Sequence, residues 1–196
     1  LAVVAIEGGR ADEAHELARA AFETYGADNP LLPRLAHDVA YWWITHGHFA
    51  RAVPVLRSLL PHFAQPSLRV LVYGNLARAA GGLGDREAFR GAWDDAHDLL
   101  RESAADESAA RVLLDLAHGA SSLGLWDRAE AAARQALDIG TRRTEAKIRL
   151  SAEAVLDSIR HHRTVEVKRM AQPTSSAADA LADDFVRSLS RAGAAA

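Results

Sequence analysis

The sequence predicts an all-α protein made of stacked helical hairpins, on three observations. Alanine supplies 42 of the 196 residues. It is the best helix former and the smallest side chain that still covers backbone, which suits closely packed helices. Only 6 prolines and 13 glycines interrupt the chain, and β-branched runs are scarce. The most specific observation is an internal repeat. The segments GGRADEAHELARAAF, HGHFARAVPVLRSLL, LGDREAFRGAWDDAHDLL and LGLWDRAEAAARQAL each set a glycine just before a helical pattern. Anchored on Gly9, Gly47, Gly84 and Gly124, they recur 38, 37 and 40 residues apart, within the range of helical repeats.

Other positions keep the same phase. Seven residues before each anchor stand Ala2, Ala40, Ala77 and Ala117, preceded by Leu1, Val39, Leu76 and Leu116. Five after it come Ala14, Ala52, Phe89 and Ala129, and twelve after it Ala21, Leu59, Ala96 and Ala136. Two antiparallel helices approach to the near end of their usual ~8–10 Å separation only where small residues cross. The alanines supply those crossings, and the glycine ends the first helix by taking a left-handed backbone. Phe49 and Trp126, two residues past their anchors, plug the hairpin mouths. The third unit departs, with Arg86, Phe89 and Trp93, and is expected to open wider or bend the array.

In order, helices are expected near 1–7, 10–25, 33–46, 49–60, 68–82, 86–102, 107–122, 126–138, 143–162 and 176–191. Asn29-Pro30 and Leu32-Pro33 mark the first junction, because a residue before proline avoids helical angles. Pro54 is expected near the first turn of its helix, where a missing donor matters least. Pro61 and Pro66 end that helix, and Gly140 is expected to close the fourth hairpin. The repeats thus cover residues 1–140. Residues 141–163, with Ile148, Ala152, Val155, Leu156 and Ile159 at helical spacing, form a capping helix with one polar face, as a terminal repeat requires. Residues 164–175 read as a linker. Residues 176–196 carry an amphipathic helix whose stripe is Ala178, Leu181, Ala182, Phe185 and Leu189.

The totals exclude several classes. Net charge is −3, with 23 basic and 26 acidic residues interleaved, so no cationic face is set to release counterions from nucleic acid. With no cysteine, disulfides, iron–sulfur clusters and thiol catalysis are out, and a reducing cytoplasm is the fitting compartment. No apolar run approaches the ~20 residues of a membrane span. The chain starts at Leu1 and its single methionine is Met170, so a fragment of something longer is expected.

At the helix-to-helix glycine, the flanking alanines and the following aromatic, residues 1–140 resemble the tetratricopeptide repeat family. The resemblance implies a right-handed superhelical array of antiparallel hairpins, an α-solenoid, in which the first helix of each pair lines a concave groove for a protein or peptide. Carried onto this sequence, the groove residues are Arg34, His37, Tyr41, Asn75, Arg78, Arg111, His118 and Ser122. Tyr41, Arg78 and His118 would form a ladder of hydrogen-bonding side chains, and Arg and Tyr are frequent in binding hot spots. Arginine also suits a carboxylate or phosphate on a ligand. Some members grip a C-terminal carboxylate with Lys, Asn and Arg. Here Asn75 and Arg111 fit, but His37 and Tyr41 stand where Lys and Asn belong, and Asp115 would repel the terminus. In style the chain also resembles the C-terminal repeat regions of bacterial multidomain transcriptional regulators, which implies a sensory or interaction role with DNA contact made elsewhere.

No catalytic pattern rises above background, so no enzyme and no cofactor is expected. His46 and His48 flank a helix-ending glycine, and zinc needs three or four ligands brought to one point. His161 and His162 point to different sides of a helix. Asp94-Asp95 and Asp183-Asp184 diverge likewise, whereas an acid/base pair must converge. In the pair Trp42-Trp43, neighbours diverge by about 100°; Trp43 is expected in the core and Trp42 partly exposed, at a contact between protomers. The alternative to a peptide-binding groove is an assembly scaffold, a homodimer joined through the C-terminal helix.

Overall fold

The repeat's phase reappears as a repeated turn. The computed structural model describes residues 11–26, 29–102, 107–161 and 175–194, which form only helices and turns. The expected helix over 1–7, the Gly9 anchor, His162 and most of the expected linker lie outside these residues. The helices are α1 (Ala11–Tyr25), α2 (Leu32–Thr45), α3 (Phe49–Leu59, extended by a 3-10 turn over Leu60–His62), α4 (Pro66–Leu83) and α5 (Arg86–Glu102). They continue as α6 (Ala109–Ser122), α7 (Trp126–Arg142), α8 (Ala146–Arg160) and α9 (Ser175–Ala194). Gly47, Gly84 and Gly124 follow α2, α4 and α6 with φ of 81°, 78° and 69°. In each case the next residue's amide donates back into the helix. His48 reaches the Trp43 carbonyl at 2.8 Å, Asp85 that of Ala80 at 3.0 Å, and Leu125 that of Ala120 at 2.9 Å. One cap therefore turns the chain the same way three times and satisfies carbonyls that a helix end leaves open.

The columns in phase with those caps are the core. Val39, Ala40, Leu76, Ala77, Leu116 and Ala117 are buried on the first helices. Ala52, Leu59, Phe89, Ala96, Ala129 and Ala136 are buried on the second helices.

Two positions behave differently from expectation. Helix α7 runs two residues past Gly140, and the turn is made by Thr144 at φ 57°, with the Glu145 amide donating to the Gly140 carbonyl at 2.8 Å. Gly140 instead makes room for α8: a Cβ there would stand 2.9 Å from Ile148 Cγ2. Pro54 lies in the interior of α3, past the first turn, so it removes the donor that would pair with the Ala50 carbonyl. Both residues are exposed, which leaves that carbonyl on the surface side.

The chain divides into two compact units, Leu1–Phe63 with Val167–Ala196, and Ala64–Glu166. In the first unit, α2 and α3 form a hairpin, α1 borders α2, and α9 packs along α3. The expected stripe of α9 is buried there: Ala178, Leu181, Ala182, Phe185 and Leu189 are each at most 5% exposed.

In the second unit, α4–α5 and α6–α7 are hairpins, α4 runs along α6, and α8 covers α6 and α7. Within the segment 141–163, α8 buries Ala152, Val155, Leu156 and Ile159 and exposes Lys147, Glu153, Asp157 and Arg160.

The α4–α6 crossing is backbone on backbone. A Cβ on Gly81 would meet the Gly119 carbonyl oxygen at 2.3 Å, and one on Gly119 would meet the Ala77 oxygen at 2.5 Å. The same site would meet the Phe89 ring at 3.0 Å, so Gly119 provides the room for the phenylalanine that replaces alanine in this unit. Trp93 continues that wedge outward. It is stacked on His97 with centroids 4.6 Å apart, and the Arg128 guanidinium sits 5.6 Å from its ring centroid.

Candidate functional site

Three of the eight sequence-derived site residues fall in the first unit and five in the second. Arg34, His37 and Tyr41 recur at i, i+3 and i+7 on α2, and so share one helical face. Arg34 is exposed and Tyr41 half-buried. His37 is held edge-on to Phe63, with centroids 6.3 Å apart, and its Nδ1 lies 3.6 Å from Asp38 Oδ1.

The second unit gathers its residues more tightly. Arg78 on α4 donates through a terminal guanidinium nitrogen to Asp115 Oδ1 on α6 at 2.8 Å. The pair is screened from water, with side chains 14% and 3% exposed. Asn75, one turn from Arg78, is buried, and His118, one turn from Asp115, is mostly buried. Burial, and then the charge of Arg78, push the His118 imidazole down to about 3. It is therefore neutral at ordinary pH, able to donate from one ring nitrogen and accept at the other. Ser122 turns inward and donates to the His118 carbonyl at 3.0 Å, while Arg111 stays exposed.

Sequence reasoning undervalued Asp115, seen there only as an anion that repels a ligand's carboxylate. It is the partner of Arg78, and its buried Oδ2 has no hydrogen-bond partner among the described residues. A signal was present: nine residues before Gly47, Gly84 and Gly124 the chain reads Asp38, Asn75 and Asp115, a polar column that keeps the phase of the repeat. The pairing changes what the site can do. Arg78 has its charge matched within the protein, so a ligand anion would have to displace Asp115. The cluster suits a ligand that offers donors and acceptors together.

The tryptophan pair and the two histidines beside it pack on one another. Trp42 is buried along with Trp43, against the expectation that it would be partly exposed. The His46 ring lies 5.1 Å and the His48 ring 6.5 Å from it, between centroids, and they cover the side that the 100° divergence left open. His46 Nδ1 is 2.8 Å from the Trp42 carbonyl. Burial, then Arg51 and His46, lower the His48 pKa. Among the described residues no group of three or more His, Cys, Asp or Glu side chains is placed to hold a metal ion, and no helix is long and apolar enough to cross a membrane. No family model, curated protein or solved structure matches the chain.

Proposed function

We propose that the chain is a tetratricopeptide-like module that binds a protein or peptide, and that the α4–α6 face of the second unit is its recognition surface. The repeated glycine cap and the buried small-residue columns support the architecture, with the right-handed superhelical array as its finer form. One observation carries the function: a buried Arg78–Asp115 pair, flanked by Asn75 and His118, on helices that otherwise meet through Gly, Ala, Leu and Val. Burying such a pair costs desolvation that apolar side chains of similar volume avoid, so stability alone does not call for it. A peptide backbone, with alternating donors and acceptors, matches a cluster holding a matched charge pair, an amide and a neutral imidazole. In this reading the module is the sensory or interaction part of a bacterial regulator, and DNA contact belongs to another segment.

The test separates recognition from folding. A random peptide library displayed on phage is panned against the immobilised chain, and the enriched peptides are measured by fluorescence anisotropy. The double variant Arg78→Met/Asp115→Leu replaces the pair with apolar side chains and is expected to melt like the parent. It should bind the selected peptides at least about tenfold more weakly, a loss of ~1.4 kcal/mol. Equal binding by both proteins would remove the assignment.

A second reading, a dimerisation scaffold, is favoured by one observation: α9 buries its apolar stripe against helices far away in the sequence.

A further inference from the structure

The first unit is completed by a helix that the chain does not deliver locally. Residues 64–166 form a separate unit, and α9 meets α1 and α3 only after them. Its contacts are directional. Asp179 accepts from Arg51 Nε of α3 at 2.5 Å, and Asp184 accepts from Arg19 of α1 at 2.5 Å. Phe185 meets Phe22 of α1 edge to face, with centroids 5.2 Å apart. His62 Nε2, just past α3, donates to the Leu189 carbonyl at 2.9 Å. Asp179 thus sits by the start of α3 and Leu189 by its end, so the two helices run parallel. Alongside these polar contacts runs the buried stripe Ala178, Leu181, Ala182, Phe185 and Leu189, the i, i+3, i+4, i+7 pattern by which amphipathic helices fill grooves. Asp179, Asp183 and Asp184 make the leading half of the helix acidic, and Arg19 and Arg51 stand opposite it.

We infer that the cleft bordered by α1 and α3 is a receptor for an acidic amphipathic helix, and that it takes α9 from a second copy of this chain through the contacts it makes with its own. The occupant follows from charge complementarity: α9 is a helix whose apolar spacing and carboxylate positions fit the cleft, and every copy carries one. Nothing in these contacts depends on covalent connection to α1 or α3, so own-chain and partner-chain docking use the same residues. This inference is independent of the reading of the α4–α6 face.

Charge exchange tests it with full-length chains. One variant, Arg19→Asp/Arg51→Asp, has a reversed cleft; the other, Asp179→Arg/Asp184→Arg, has a reversed helix. Alone, each sets like charges together at both ion pairs that hold its own α9 to α1 and α3. Mixed, each cleft meets a helix of opposite sign only on the other chain, so the pair should assemble as a heterodimer twice the 21.1 kDa of one chain. Its apparent dissociation constant by sedimentation should be at least tenfold below that of either variant with itself. The quadruple variant, with both reversals on one chain, serves as the folding control and should regain parental helicity and the parental sedimentation at the same concentration. A mixture that sediments as monomers, or a quadruple variant that stays less helical than the parent, overturns the inference.

Discussion

The α4–α6 crossing makes the sharpest quantitative demand on this structure, because two glycines of one unit should respond to alanine with opposite signs. A Cβ on Gly81 would lie 2.3 Å from the Gly119 oxygen and 2.5 Å from its Cα. Ordinary contact begins near 3.4 Å, so the helices would have to part by about 1 Å, and the obstacle is backbone that no rotamer change can clear. Overpacking of this kind costs about 1–3 kcal/mol, and a backbone obstacle sits at the upper end. Against it stands the gain of replacing a helical glycine by alanine, ~1 kcal/mol. The net for Gly81→Ala is a loss of about 2 kcal/mol, which at roughly 2–4 °C per kcal/mol lowers Tm by ~4–8 °C. Gly91, in the interior of α5, is exposed, and a Cβ added there would have nothing within 4 Å. Gly91→Ala should therefore raise stability by about 0.5–1 kcal/mol. Thermal melts followed by circular dichroism, with urea midpoints as a second measure, read both signs. A Gly81→Ala protein that melts at or above the parent would refute the close crossing.

Two further outcomes follow from single residues. Thr144 holds a left-handed backbone at φ 57° that costs a β-branched residue roughly 1–2 kcal/mol, so Thr144→Gly should raise the urea midpoint, whereas Thr144→Val should not. His118 has its folded pKa lowered from 6.5 to about 3; the unfolded chain then binds the extra proton between those values, and stability is full above pH 6.5 and falls as pH drops toward 3. By pH 5 the loss attributable to this residue is about 2 kcal/mol, and His118→Gln should flatten that part of the stability–pH curve relative to the parent.

Much of this architecture was legible because its grammar is local. A glycine that must turn left-handed and an alanine that must let a neighbour in are forced choices, so their spacing exposed the hairpins and most helix limits within a few residues. The stripe on α9 was legible for the same reason, since helical periodicity needs no knowledge of the partner. What escaped reading depends on residues brought together from afar. The repeat runs through Phe63 and Ala64 in phase, so its spacing does not set the prolines at 61 and 66 apart from any other junction. Which helices α9 meets is fixed by Arg19, Arg51 and Phe22, whose roles have no sequence signature. The burial of Trp42 escaped because helical spacing accounts for one neighbouring helix, whereas two histidine rings close the other side. Asp115 stood without a partner in the sequence because Arg78 lies 37 residues away, one repeat earlier, and no local periodicity links the two.

The way the first unit borrows its last helix sets the order in which the protein can be completed during synthesis. Helices α1 to α3 leave the ribosome before any part of α9 exists, and 111 residues, positions 64 to 174, must be translated in between. At about 5–20 residues per second that interval is roughly 5–20 s. By its end the second unit has all its residues in hand, while the earlier-made segment has waited throughout with the apolar side of α3 uncovered. The nascent chain thus passes through a stage in which the earlier-made of these two units is the less finished, and there a chaperone, or a neighbouring copy already released, has its opening.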